Sequence, residues 1–320
     1  MDAQTKDLLR DSIREVLAGS KDLRSSLVEL GWDEVVADDA KAAVTILFTE
    51  QGRARAASRL LDTVVVGELG GAIDPAAAVV YPAVDGGAQP TSTIDGERVT
   101  VNGLVLGPIG DAPALIVPVA AGDGVELVTV PVGDLTVTPI DGFDPDAGWS
   151  SVTGSVTSTG RVGDREAASR ALAAAQRAVA SEIVGVAQAA LTLAVDHVST
   201  RRQFGHTIAS FQMVRFRLAE AWTWLSAAEA TVDAAWDDRS PEASSLAKAY
   251  AGQAHSDAVA HCTQVCGAMG VTYEHDLHRY VRRGFVLDAL LGSSLQLSGA
   301  LGASFLAGAP IPRLVAAAAL

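Results

Sequence analysis

Two stretches in the second half of the chain hold the side chains best suited to chemistry. The first is Thr200-Arg201-Arg202-Gln203-Phe204-Gly205-His206-Thr207-Ile208-Ala209-Ser210-Phe211-Gln212, where one apolar-striped helix stops and another starts. Arg201 and Arg202 beside Phe204 admit two readings. Basic side chains offset the negative end of a helix dipole. Equally, a guanidinium fork matches a pyrophosphate while the neighbouring aromatic packs on a ring. The second stretch, Gln264-Val265-Cys266-Gly267-Ala268-Met269-Gly270, is either a plain helix stop or a run of small residues that lets a backbone amide approach a phosphate.

A metal site is a third possibility, since His255, His261, Cys262, Cys266, Glu274, His275 and His278 crowd one region. On a helix His261 and Cys262 point roughly 100° apart. Only Cys262 with Cys266, or Glu274 with His278, share a face, and a zinc site needs a second dedicated pair. Buried thiols and helix-end histidines account for them without a metal. There is no Gly-x-x-x-x-Gly-Lys-Ser/Thr loop and no Gly-x-Ser-x-Gly elbow. Gly103, Gly107 and Gly110 have the wrong spacing for a dinucleotide fingerprint.

The elements that must position these residues follow from periodicity. Residues 6–30 carry Leu9, Ile13, Val16, Leu17, Leu23, Leu27 and Leu30 at helical spacing, interrupted near Gly19-Ser20. Further helices are expected over Ala40–Arg53 and Arg55–Leu69. From Val79 to Gly163 the texture becomes short alternating segments. Strands are expected at Val99–Val101, turning at Asn102-Gly103, and at Ala114–Val119, Glu126–Val130 and Ser151–Val156. Helix returns over Ala167–Ser199 and Phe211–Asp237. A third begins cleanly at Ser240-Pro241-Glu242 and runs to Cys266, and a last one spans Asp276–Phe305. Segregated helices and strands predict an α+β fold of three units: an N-terminal helical domain 1–78, a β domain 79–165, and a C-terminal four-helix-bundle domain 166–320.

Composition narrows the function classes. A formal charge of −14 over 320 residues excludes a basic nucleic-acid groove. Two cysteines cannot form a disulfide framework, and the start Met1-Asp2-Ala3-Gln4 lacks a basic region followed by an apolar core, so a reducing cytoplasm is expected. The longest uncharged run, Ala289–Pro312, is interrupted by four glycines and two prolines, which argues against a membrane span.

Together the two stretches resemble the signatures of the acyl-CoA dehydrogenase family. Arg201-Arg202-Gln203-Phe204-Gly205 with Ile208 and Phe211-Gln212 is similar to its Arg-x-x-Phe-Gly segment. Gln264 to Gly270 followed by Thr272-Tyr273-Glu274-His275-Asp276-Leu277-His278 is similar to its Gln-x-x-Gly-Gly-x-Gly segment. Leu30-Gly31-Trp32, Glu50-x-Gly52-Arg53, Val101-Asn102-Gly103 and Pro139-Ile140-x-Gly142-Phe143-Asp144 resemble earlier parts of the family in order. The resemblance implies FAD held across a subunit interface. Arg201, Gln203, Phe204, Gln212, Gln264 and Gly267 would grip the adenosine-diphosphate half of a neighbour's cofactor.

The departures from the family are as informative. No Thr-Glu-Pro-x-x-Gly-Ser-Asp-like segment opens the β domain, which looks shortened. The family's usual catalytic glutamate position is Leu291 here, and its alternative position is Ala175; neither side chain can take a proton. Glu182, two helical turns beyond Ala175, is a fallback base or simply a carboxylate bonded within the bundle. The resemblance is therefore to the short subunit of α2β2 heterotetrameric acyl-CoA dehydrogenases of steroid-degrading actinobacteria. It implies a chain with no catalytic residue of its own and a full-length partner that supplies flavin platform and base. Two FADs per tetramer, a steroid- or ring-derived acyl-CoA substrate and an electron-transfer flavoprotein acceptor are further implications. The alternatives are a self-sufficient homodimer using Glu182 and a silent helical scaffold.

Overall fold

The computed structural model describes residues 1–312 apart from Lys21, Gly71, Ala72 and Asp123, so the last eight residues of the expected C-terminal domain lie outside the described residues. The fold is α+β, with N-terminal helices, a middle β-sheet domain and a C-terminal helical domain.

Helices α1 (Ala3–Gly19), α2 (Leu23–Glu29), α3 (Trp32–Ala54) and α4 (Leu60–Gly67) come first. Asp2 caps α1 by accepting from Thr5 N–H at 2.8 Å. The helix expected from Ala40 extends back to Trp32 across a kink at Asp39, whose carboxylate caps Ala42 N–H at 3.0 Å. The helix expected from Arg55 starts only at Leu60. Arg55 takes a left-handed φ of 52° that ends α3, and its guanidinium lies over the Tyr280 ring at 4.8 Å.

The sheet has eight strands: β1 (Ala78–Val79), β2 (Ser92–Asp95), β3 (Arg98–Val105), β4 (Leu115–Ala121), β5 (Gly124–Val130), β6 (Thr136–Pro139), β7 (Ser150–Thr157) and β8 (Gly160–Gly163). Their order is β6-β7-β3-β2-β4-β5-β8, with β1 parallel to β4. Alternation puts Ala78, Val80, Val99, Val101, Leu115 and Val117 in a core internal to the sheet. Val79, Tyr81, Leu104, Ile116 and Leu127 face the helices. Gly103 lies inside β3 rather than at the expected turn. A side chain there would strike the Tyr81 carbonyl, so glycine marks a close strand approach.

Helix α5 (Arg165–Thr200), capped by Asp164, is the spine of the molecule and packs against α3, α6, α7 and α8. It is long and apolar enough to cross a membrane, yet 67% of its most apolar window is buried within the fold. A short hairpin, β9 (Arg202–Gln203) and β10 (His206–Thr207), leads to α6 (Gln212–Asp238) and α7 (Pro241–Cys266). The expected last helix is in fact two, α8 (Leu277–Ala289) and α9 (Ser294–Leu306). The break falls at Leu291 and Gly292, both left-handed at φ 60° and 97°.

Candidate functional site

The hairpin after α5 is built by its turn. Phe204 (φ 53°) and Gly205 (φ 82°) are the two central residues between the paired Gln203 and His206, the arrangement of a type I′ turn. An aromatic in the left-handed region is uncommon and costs about 1 kcal/mol or more, so the turn presents Phe204 at a price in backbone strain. That ring is 89% exposed and meets Phe211 edge-on at 6.3 Å. Beneath it Ile208 and Ala209 pack with Ala194 and Val198 of α5 and with Cys262, Val265 and Cys266 of α7. His197 at the end of α5 meets His275 edge-on at 5.4 Å. The two sequence stretches thus sit at one end of the bundle.

All six residues expected to grip a diphosphate, Arg201, Gln203, Phe204, Gln212, Gln264 and Gly267, are exposed there. Arg202 is engaged locally, donating to Gly205 O at 3.0 Å, and Gln203 donates to Arg202 O at 2.8 Å. Arg201 has no ion-pair partner among the described residues, and neither guanidinium donates to an α5 carbonyl. The last turn is instead bonded by Thr200 Oγ to Asp196 O. Gly267 ends α7 at φ 62°, where a side chain would be strained. These groups fit an anion with an attached ring. Met213, Phe216 and Trp222 of α6 are also exposed, at different points around the helix. Among the described residues no His, Cys, Asp or Glu cluster could hold a metal; Cys262 and Cys266 are buried, with thiol pKa values pushed up to about 12 and about 11.

A cavity of about 640 Å³ lies where α4, α5 and the sheet meet. Ala175 and Leu291 both line it, although they are 116 positions apart in sequence. Leu291 is placed there by its strained turn, which buried polar groups hold. Gln176 Nε2 donates to Leu291 O at 3.1 Å, and Lys248 Nζ donates to Asp288 O and Gly292 O at 2.8 and 3.0 Å. Burial lowers the Lys248 pKa to about 8. Among the described lining residues there is no carboxylate, histidine or cysteine.

Glu182 is elsewhere. Seven residues along α5 carry it about 10 Å beyond Ala175. It lines a separate void of about 20 Å³, room for roughly one water. There it accepts from Gln51 Nε2 at 2.9 Å, near the buried Arg283. Burial raises its pKa to about 7, against the lowering effect of Arg283 and Gln51. Its protonation would suit a base, but its position does not.

Three further buried groups escaped sequence reasoning. Arg283 pairs with Asp144 between α8 and the β domain. Lys248 and Gln176 hold the Leu291 turn. Tyr81 Oη donates to Asp62 at 2.8 Å, and burial lifts the Asp62 pKa to about 7. The available signal was a charge within an apolar run: Asp62 between Leu61 and Val64-Val65, Lys248 within an alanine-rich helix.

Asp62 and Glu182 make a pH prediction. A carboxyl pKa raised from 3.8 or 4.5 to about 7 means the folded state holds the proton more tightly than the unfolded chain. Their stabilisation is complete below pH 4 and is lost as pH rises through 7. Buried His255, lowered to about 4, acts oppositely below pH 6.5, so the informative quantity is variant minus wild type. Asp62→Asn with Glu182→Gln will gain in melting temperature relative to wild type as pH goes from 5 to 8. A constant difference across that range would refute the assignment.

With this geometry in hand, comparison with known proteins is direct. Residues 165–305 match the acyl-CoA dehydrogenase C-terminal domain family. The acyl-CoA dehydrogenase IpdE2 of Mycobacterium tuberculosis is 36% identical over 115 residues, which span 36% of this chain and 36% of that one. The chain's match therefore spans about a third of that relative's length. IpdE2 of Mycolicibacterium smegmatis is 25% identical over 306 residues, 91% of this chain and 95% of the relative. Among solved structures, the ChsE4-ChsE5 complex from Mycobacterium tuberculosis superposes with a TM-score of 0.80 at 20% identity, covering 97% of this chain and 99% of that chain. That likeness extends the fold over the N-terminal helices and the β domain as well. Residues 165–305 are thus similar to the C-terminal domain of acyl-CoA dehydrogenases, and the chain as a whole shares the fold of that solved complex.

Proposed function

We propose that the chain is a subunit without a catalytic base in a flavin-dependent acyl-CoA dehydrogenase, completing the adenosine-diphosphate half of an FAD site whose flavin half lies on a full-length partner subunit. The observation that carries the reading is the cavity shared by Ala175 and Leu291, lined at both family base positions by aliphatic side chains. Neither can accept a proton from an acyl α-carbon. Exposed Arg201, Phe204, Gln212 and Gln264 support the other half of the reading, since their polar and aromatic groups are left for something outside the chain.

FAD, the cofactor typical of this family, would supply hydride acceptance from the acyl β-carbon when bound. This chain's own residues bind and orient. Arg201 would neutralise the diphosphate, Phe204 would pack on the adenine side, Gln203, Gln212 and Gln264 would hydrogen-bond, and Gly267 would allow close backbone approach. The α-proton would go to a carboxylate of the partner. The α2β2 assembly, a steroid- or ring-derived acyl-CoA, an electron-transfer flavoprotein acceptor and a cytoplasmic location complete the proposal on resemblance to short subunits of this kind.

In the coexpressed complex Arg201→Ala will weaken FAD retention about 10- to 100-fold, the worth of one or two hydrogen bonds to a charged group. Flavin absorbance per complex after gel filtration reads this, with Arg202→Ala as a weaker comparator. Unchanged occupancy would favour a silent scaffold instead. Glu182 as base of a self-sufficient enzyme is not favoured, because it faces the small void and not the cavity.

A further inference from the structure

A second cleft, of about 660 Å³, opens between the start of α2, the start of α4 and the chain that leaves β3. It shares no lining residue with the cavity of Ala175 and Leu291. Its volume suits a small molecule, and Leu23, Leu60, Leu106 and Pro108 give it apolar sides. Arg24 of α2, Arg59 at the N-cap of α4 and Asp62 in the first turn of α4 line it as well. Arg24 is half-buried and has no ion-pair partner among the described residues. Asp62 is 4% exposed. Its Oδ1 accepts from Tyr81 Oη, but its Oδ2 has no hydrogen-bond partner among the described residues, and neither has Arg59 Nη1. These two buried atoms stand 3.6 Å apart, too far to bond each other and close enough for one guest to meet both. The other carboxylates are occupied or outside. Asp22 accepts from Ser25 N–H and Ser25 Oγ at 3.1 and 2.6 Å, and the Asp111 side chain is 88% exposed, 3.9 Å from Arg59 Nη2. Burial keeps a proton on Asp62 up to a pKa of about 7, against the opposing effects of Tyr81, Arg59 and Arg24. The cleft therefore offers two guanidiniums and a carboxyl O–H, three donor groups from two helices, in a chain of net charge −14.

We propose that this cleft binds a small phosphate monoester, its oxygens shared among Arg59, Arg24 and the Asp62 carboxyl and its body against Leu23, Leu106 and Pro108. Three donor groups match the three free oxygens of a phosphate, whereas a carboxylate has two. Ionised Asp62 sets a like charge against the guest, so the site fills while the proton is held and empties as it is lost. Tyr81 keeps its own proton throughout, because burial and the neighbouring Asp62 raise its pKa well above the ordinary value. Neither FAD nor an acyl-CoA is involved, and none of the hairpin residues lines the cleft.

The test uses the full chain, alone or with its partner, titrated calorimetrically with phenyl phosphate and with benzoate, whose ring is alike and whose head is a planar carboxylate. One phenyl phosphate per copy of this chain is expected, with benzoate about ten-fold weaker, the worth of one charge-assisted hydrogen bond. Arg59→Gln and Arg24→Gln should each weaken phenyl phosphate about ten-fold, and the second serves if the first does not fold. A phosphate monoester loses its second proton at about pH 6, so any change between pH 7 and 9 reports the protein. Wild type should bind about ten-fold more weakly at pH 9 than at pH 7, as Asp62 ionises. Asp62→Asn, which keeps an acceptor for Tyr81 and turns an N–H to the guest, should bind alike at both. Arg201→Ala should change none of this, so the flavin reading and the phosphate site fail separately. Equal affinity for benzoate, indifference to both arginine variants, or a pH dependence that survives in Asp62→Asn would overturn the proposal.

Discussion

Arg283→Met will lower stability by about 3–5 kcal/mol, the usual cost of removing one partner from a buried ion pair. Arg283 is 2% exposed and Asp144 5%, so the surviving carboxylate has no route to water. The pair joins α8 to the loop between β6 and β7, and Arg283 also lies within reach of Ala56 O. Glu182 would lose its nearby cation at the same time and hold its proton still more tightly. Urea denaturation of Arg283→Met, Asp144→Asn and the double variant separates pairing from packing. The account expects the double variant to be more stable than the sum of the singles predicts, since neither then leaves a buried charge behind. A loss below about 1 kcal/mol for Arg283→Met would mean that the pair is solvated in solution.

Gly185→Ala will cost at least about 2 kcal/mol, although alanine is the better helix former by about 1 kcal/mol. Helices α3 and α5 cross with their backbones in contact. A methyl at Gly185 would strike Thr49 O, and one at Gly52 would strike Glu182 O. Neither obstacle is a flexible side chain that could swing aside, so the helices must separate. Separation opens the core around Leu47, Phe48, Ile183 and Val186, all nearly inaccessible to water. Gly52→Ala should behave alike, and the double variant should cost less than the sum because one separation relieves both clashes. Denaturant midpoints at unchanged slope measure this; a stabilised Gly185→Ala would show that the crossing is looser than described.

Local chemistry was legible from the chain, and long-range register was not. The Ser240-Pro241 start of α7 follows from capping rules, and Ser240 Oγ accepts from Ala243 N–H at 3.1 Å as those rules require. The break between α8 and α9 was missed because Leu290-Leu291 extends an apolar helical pattern unchanged. Gln176 and Lys248, distant in sequence, bond the Leu291 and Gly292 carbonyls, alongside the local Asp288–Ser294 bonds across the turn. Gly103 read as a turn because Asn-Gly is a turn signal, whereas its reason is the neighbouring Tyr81 strand. For the candidate site, Leu291 and Ala175 could be marked as aliphatic where the family has a base, but their meeting in one cavity needed coordinates. Glu182 shares the Ala175 face by spacing, and spacing along one helix says nothing about which cavity that face borders at a given height.

The central claim is that the hairpin end of this chain works in trans, on a cofactor whose chemistry belongs to another chain. Flavin content after expression with and without a full-length acyl-CoA dehydrogenase partner tests it most directly. The account predicts a colourless chain alone, and with the partner a yellow complex holding one FAD for each copy of this chain. A chain that purifies alone with bound FAD and oxidises an acyl-CoA would contradict it.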